Sequence, residues 1–539
     1  MSRRPRVQSS VTPLASGVWW AGCVRVAIAL LLAACTGPTE IPIGSAGAAT
    51  FYLSPDGRDD HPGSRAQPWR SFRAALPRLG PGTTLVLLSG IYDTSTSGAL
   101  DIRCGETTSD GRAGAPITVR ADEERQAFIR GDGTSAPAAM DDCAHWIIDG
   151  LRVEAADNPA GSPGAPESGS VFVLTGDNRD LILRRLLLAR PNRYRHSHVL
   201  RIGDGASNVT VEECELYDFH HNGFEVARAN ATVFRRNYLH SRLAEDIPRG
   251  YVSPAGSSAA RGDFGFVLEE TRLSIVEDNI AEAVSDGFGI VGRFEELPSD
   301  DPPVAPNPLD GNRWGGNVAL ASSGSGFLLA CRCRGRIPCN DRARLVIGTE
   351  LIDNVAIGGR QGLASRGSIA TRIQQFSAHG SEVGVTLGKS SDNEGIAATS
   401  FTSNSLAIDH EVAGFQSEDE ADGGFDHCGA VGTGPAFSPQ DGRVTAALVP
   451  DPAAVGACLV YLPPGSPLRT AGAGAQAVGG EITRRHENGI ATAQPLWDPV
   501  TGAFPCGAVV PGVNDDPGQS CIGVHQRLRV GTAGCPLPP

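Results

Sequence analysis

Arg201, Glu225, Arg228, Glu269 and Glu270 fall at matching places in a recurring pattern of glycine, apolar residue and alternation. In Gly223-Phe224-Glu225-Val226, a strand that turns Phe224 and Val226 inward turns Glu225 out. One coil earlier, Leu200-Arg201-Ile202 sends Arg201 out in the same column. One coil later, Gly265-Phe266-Val267-Leu268 leads into Glu269 and Glu270. Past the later strands stand Arg293, Arg332, Arg366 and Lys389, which extend the cluster into a basic stripe, and the loop 241–264 is placed to wall it. Carboxylates set against guanidiniums can hold a divalent cation or, where burial or charge lowers the pKa of a base, move a proton. They can equally be solvated salt bridges on a surface.

What positions these side chains is a repeat. The glycine pattern returns at Gly287-Phe288, Gly326-Phe327, Gly362-Leu363, Gly384-Val385 and Gly414-Phe415. A second pattern, an apolar pair ending in asparagine, gives Cys214, Asn237, Asn279, Asn317, Asn354, Ser377 and Asn404, separated by 23, 42, 38, 37, 23 and 27 residues. The shortest step is one bare coil and the longer ones carry inserted loops. Short strands, a period near 23 residues and an asparagine corner describe a single-stranded, all-β solenoid, the right-handed parallel β-helix. Asparagine tolerates the left-handed conformation, so the column is expected to cap the turn, a structural task.

Of 539 residues, 67 are Gly and 38 Pro, which argues against long helices, while 40% hydrophobic content supports a large core. A formal charge of −14 makes nucleic acid a poor partner. Arg3, Arg4 and Arg6 precede an apolar run from Val26 to Leu32 that is too short to span a bilayer. Leu32-Ala33-Ala34-Cys35 resembles a bacterial lipobox, which implies a signal peptide over 1–34, lipidation of Cys35 and a tether over 35–49. The expectation is an exported, monomeric outer-membrane lipoprotein, periplasmic or surface-facing, held to the membrane by its lipid alone. Disulfides are allowed there. Cys428, Cys458, Cys506, Cys521 and Cys535 fall in the last quarter, Cys331, Cys333 and Cys339 crowd one loop, and Cys214 is the expected free, buried thiol.

Near the N-terminus, Phe51-Tyr52-Leu53-Ser54-Pro55-Asp56-Gly57 opens a strand and turn, and Trp69 to Leu79 has the spacing of a short capping helix. Pro81 to Tyr92 and Gly114-Ala115-Pro116-Ile117-Thr118-Val119 follow, and Val460 to Leu468 looks like a closing coil. This opening and closing resemble bacterial β-helix proteins related to the pectate-lyase and chondroitinase B-like polysaccharide lyases. The resemblance implies a β-helix over 50–485 with a cysteine-containing extension over 486–539. It also implies an acidic polysaccharide as partner and cleavage by β-elimination. Glu225, with Glu269 or Glu270, would then hold calcium. Arg201 or Arg228 would take the C5 proton, and Arg293, Arg366 and Lys389 would bind substrate. The competing expectation is a non-catalytic adhesin or structural rod that only binds.

Other features bear on this choice. Glu212, Glu213, Glu215, Asp218, His220 and His221 form a polar turn readable as a metal or hydrolytic site, or as an ordinary corner. Lys389-Ser390-Ser391 resembles the run around the base of chondroitinase B-like lyases, without the paired upstream glutamates. Asn514-Asp515-Asp516-Pro517-Gly518 has calcium-loop composition but reads more simply as a turn. Trp314 and Tyr251 are the nearest aromatics for sugar stacking, and Asp204 with Asp286 do not suffice for a glycosidase. No nucleophile elbow, P-loop, dinucleotide fingerprint or zincin helix occurs.

Overall fold

A computed structural model describes residues 49–538, apart from 159–168, 195–196, 204, 242–250, 253–257, 260–263, 295–310, 334–345, 389–398, 419–422, 439–443 and 519. The chain winds through three parallel sheets in turn, so that each coil adds one strand to each. The first sheet runs from Thr50–Leu53 to Val444–Thr445, the second from Leu100–Arg103 to Phe437–Ser438 and the third from Gly90–Asp93 to Gly429–Gly432. This is the parallel β-helix that the repeat requires.

The glycine column has a steric cause. A Cβ on Gly287 would lie 2.6 Å from the Gly326 carbonyl oxygen and 2.7 Å from Ala319 Cβ. One on Gly265 would meet Ala281 and the Gly287 oxygen, both at 2.7 Å. Gly223, Gly265, Gly287, Gly326, Gly362, Gly384 and Gly414 thus form a row where the second sheet is entered, the first pressed against Leu239 and the rest against Ala281, Ala319, Ala356, Ala378, Ala407 and Ala430 of the third. One position on, Phe224, Phe266, Phe288 and Phe327 stack down the interior with centroids 4.6, 5.0 and 4.9 Å apart. Trp314 lies 6.0 Å from Phe288 in this core, 1% exposed, so it is not a sugar platform.

Between the first and third sheets, one residue per coil turns left-handed, among them Glu213, Arg236, Asp278, Asp353, Gln375 and Asn404. The ladder sits one residue later. Asn237 Nδ2 donates to Asn279 Oδ1 (2.9 Å), Asn279 Nδ2 to Asn317 Oδ1 (3.0 Å) and Asn317 Nδ2 to Asn354 Oδ1 (2.9 Å). The Cys214 N–H joins it through Asn237 Oδ1 at 3.0 Å. Two expected members are displaced by one residue. Ser377 pairs with Val355 and Leu406 with Ser377, so Phe376 and Ser405 hold the ladder position and Asn404 holds the left-handed corner. The ladder asparagines therefore bond along the stack rather than adopting the left-handed turn.

The expected capping helix is shorter than its sequence signal: Phe72–Ala75, capped by the Ser71 hydroxyl accepting from Ala74 N–H, then a turn over Leu76–Arg78. Pro77 cannot donate an N–H to a continuing helix. At the other end, strand pairing within the three parallel sheets stops at Val444–Thr445, Val460 to Leu468 contributes no strand to them, and Arg484–Glu487 pairs antiparallel with Ile490–Pro495 in the C-terminal segment. That segment lies on the outward face of the third sheet, because the face is apolar: Tyr238, Ile280, Val318 and Val355 share a buried cluster with Val460, Ile482, Trp497, Phe504 and Leu528. Cys458–Cys535 and Cys506–Cys521 staple it, and Cys104–Cys143 staples the early coils. Disulfides of this kind belong to an exported, oxidising setting. Cys214 is free and buried as expected; Cys428, expected among the bridged cysteines, is also free and buried.

Candidate functional site

The glycine bend decides which side chains leave the second sheet. At the bend two successive positions face inward: a Cβ on Gly223 would touch Leu239 and Phe219, and Phe224 beside it is in the core. Strict alternation is broken there, so Asn222 and Glu225, three residues apart, both reach the outer face. In the preceding coil Val199 and Leu200 are the inward pair. His198 aligns with Asn222 and Arg201 with Glu225.

Three side chains contact the Glu225 carboxylate, and a fourth lies against one of them. Arg201 Nε donates to Oε1 at 3.3 Å, while Asn222 Nδ2 donates to Oε2 at 2.9 Å. His198 Nδ1 lies 3.2 Å from the same Oε2, and His221 Nδ1 lies 3.3 Å from His198 Nδ1. His198, His221, Asn222 and Glu225 are 3%, 6%, 1% and 5% exposed. Asn222 Oδ1 is buried with no hydrogen-bond partner among the described residues. In the next coil the two rows become Phe264 and Val267, which join Val291, Leu328, Ala330 and Ala364 in a buried outward apolar cluster. The polar patch is thus bounded on one side by apolar surface, where charge interactions are little screened.

Of the residues expected from the sequence, Arg201 and Glu225 meet. Glu269 does not share their row: it pairs with Ala227, two positions along, while Val267 stands opposite Glu225. It remains on the outward face and is buried. Arg228 and Glu270 take equivalent left-handed corners after their strands, Arg228 exposed and Glu270 half-buried. Arg366 follows the Glu269 row, past Val291 and Ala330, and its Nη2 contacts Glu418 at 3.3 Å. Arg293 lies in the strand Asp286–Phe294, in register with Arg332. Lys389, the side chain of Tyr251, Asp204 and the segment ending at Cys35 lie outside the described residues.

The polar turn of the sequence is dispersed because it crosses all three sheets. Glu212 pairs with Arg235 at 2.8 Å on the first sheet. Glu215 is buried under the C-terminal segment, accepting from Arg125 Nη1 (3.2 Å) and Asn514 Nδ2 (2.5 Å). Burial works to raise its pKa, but His240, Arg125 and Asn514 hold the carboxyl below the usual range. Asp218 meets Arg190 at 3.2 Å, and His221 reaches the patch. Asn514 is spent on Glu215 and on the Val510 N–H, so its loop is a turn, as its composition indicates.

Sequence reasoning missed His198 and Asn222. A signal existed: both stand three residues before an outward charge, at the place where the repeat bends.

No family model matches the chain. Over 106 residues it is 36% identical to pectate lyase PEL9 of Emericella nidulans, a stretch covering 19% of this chain and 24% of that protein. The chain is a parallel β-helix. It spans about a quarter of the length of the curated relative it matches. Among solved structures, pectate lyase Pel9A is similar to this chain at 13% identity and a TM-score of 0.40, over 80% of this chain and 93% of that one. The GH87 α-1,3-glucanase of Streptomyces thermodiastaticus gives 14% identity and a TM-score of 0.45, over 75% and 69%.

Proposed function

We propose that this protein binds an acidic polysaccharide along the outward face of the second sheet and cleaves it by β-elimination. The observation that carries the reading is the contact of Arg201, Asn222 and His198 with the Glu225 carboxylate, with His221 against His198, on the second sheet, while the C-terminal segment packs on the third. The stretch of 36% identity to a pectate lyase supports the same class of chemistry. Arg201, held by Glu225, offers its guanidinium to a uronate carboxylate, which acidifies the C5 proton. Arg228, exposed at the following corner, is assigned its removal. A guanidinium must itself lose a proton to serve as base, so turnover should climb toward alkaline pH. Arg293, Arg366 and Lys389 are proposed to bind the substrate.

Calcium, which the lyase reading implies, is met only in part. Glu269 and Glu270 offer two carboxylates, and substrate carboxylates and water must supply the rest of the six to eight oxygens the ion takes. When bound there, calcium would add charge neutralisation at the uronate. Residues 1–34 are proposed to be a signal peptide and Cys35 the lipidated N-terminus, which would anchor the protein in the outer membrane. The non-catalytic reading draws support from the burial of Glu225. Incubating the protein with a panel of polyuronates and glycosaminoglycans, with and without calcium, tests the proposal by the ultraviolet absorbance of unsaturated products. Arg201→Ala should reduce the rate about 100-fold or more with the fold intact, as removal of a group acting on transition-state charge does. Salt-sensitive binding without product on any polymer would establish the adhesin instead.

A further inference from the structure

The Glu225 cluster carries more than one ion pair, and its proton arithmetic is unusual. His198 Nδ1 faces two polar atoms at once, Glu225 Oε2 at 3.2 Å and His221 Nδ1 at 3.3 Å. The tautomers decide whether His198 Nδ1 donates to this pair or accepts from His221 Nδ1, and all three atoms point into one small volume. The three ligand atoms, from three buried residues, lie within 4.8 Å of one another. A tetrahedral site with metal–ligand bonds of about 2.0–2.1 Å has edges of about 3.3–3.4 Å. Two edges of the cluster, 3.2 and 3.3 Å, already have that length.

We infer that His198, His221 and Glu225 form a binding site for a borderline transition-metal ion of the zinc class, distinct from any calcium held by Glu269 and Glu270. Two imidazoles and one carboxylate suit zinc; calcium takes oxygen ligands almost exclusively. Asn222 adjoins the same carboxylate oxygen and its buried Oδ1 has no partner among the described residues, which provides a fourth donor after an amide flip. Arg201 holds the other carboxylate oxygen at 3.3 Å and so orients the ligand, the role of an outer partner in metal sites. Glu269, buried two positions along the face, adds a second negative charge. The register explains the assembly: His198 and Asn222 share one row, Arg201 and Glu225 another, and His221 enters from the turn just before its strand. The inference stands on these residues and holds whether or not the protein cleaves a glycan.

The test uses the whole mature chain, stripped with a chelator and titrated with Co²⁺ as a spectroscopic probe, then competed with Zn²⁺. One equivalent of Co²⁺ should bind with visible absorption of a low-coordinate nitrogen–oxygen site. Zn²⁺ should displace it, a hundredfold excess of Ca²⁺ should not, and Zn²⁺ should raise the thermal midpoint. His221→Ala and, as the gentler variant, Glu225→Gln should each weaken binding about tenfold or more. The inference is overturned by wild-type protein that takes up no Co²⁺, by displacement with Ca²⁺, or by both variants retaining wild-type affinity and spectrum while folded by circular dichroism. Absence of elimination products with Co²⁺ still bound would sink the lyase reading alone.

Discussion

At the scale of single residues, the asparagine ladder and the free thiols show how buried polar atoms are satisfied along a stack. Asn279 Oδ1 accepts from both the N–H and the Nδ2 of Asn237, each at 2.9 Å. Asn279→Ala strands two buried donors at once, and we expect a loss of about 2–4 kcal/mol, read from the denaturant midpoint. The ladder is not essential to a coil, since Leu151 and Leu186 hold the same column nearer the N-terminus. Its value lies in satisfying the interior corner where the inserted loops interrupt the repeat. Cys214 ends the ladder, with its thiol pushed up to about 12 by burial. It should resist alkylation in the native protein and react only on unfolding, as followed by mass spectrometry; rapid native labelling would show that the corner opens.

At the scale of elements, the junction between the second and third sheets is set by contact between glycine and alanine. Gly287→Ala places a methyl 2.6 Å from a backbone oxygen and 2.7 Å from Ala319 Cβ. Overpacking of this kind should cost about 1–3 kcal/mol, and Ala319→Gly should recover part of it, because the clash with the carbonyl remains. A neutral Gly287→Ala would mean that the sheets can separate there. The same bend sends both Asn222 and Glu225 outward, so the element that packs the core also builds the site. Strict alternation would group His198 with the inward Leu200 and Ile202, and for that reason it was not legible as a site residue.

At the scale of the molecule, the C-terminal segment decides which face is left for a ligand. It covers the third sheet and is fixed by buried charge. His486 Nδ1 bonds Asp278 Oδ1 at 2.7 Å, and Asp353 lies 3.8 Å from Nε2. Burial opposes the charge on His486, but the two carboxylates outweigh it and raise its pKa from 6.5 to about 10. A raised histidine pKa stabilises the folded state fully below its unfolded value and progressively less as pH climbs through the folded one. The segment should therefore hold most firmly below pH 6.5 and loosen as pH rises toward about 10. Hydrogen exchange of residues 480–538 across that window checks this; protection that increases with pH would contradict it. Arg527 adds a second clasp, 2.7 Å from Glu282.

The coils, their interior phenylalanines, the glycine column and most of the ladder were legible in the chain because each is a local pattern repeated at a fixed step, and stacking in register turns equal steps into columns. The meeting of Arg201 with Glu225 was legible for the same reason, being 24 residues apart on bare coils. Ser377 and Asn404 were misplaced by one residue because polar residues at a corner satisfy the same pattern whether they hold the bend or the ladder. What only the tertiary structure decided was the offset of Glu269, the dispersal of the polar turn over three sheets, the return of the last ninety-odd residues along the third sheet, and the arrival of His198 and His221 at one carboxylate. Each depends on where a bend shifts side-chain parity or on which face a distant segment covers. Sequence spacing carries neither, since parity is fixed by close contact with the neighbouring coil and coverage by apolar surface that must find a partner.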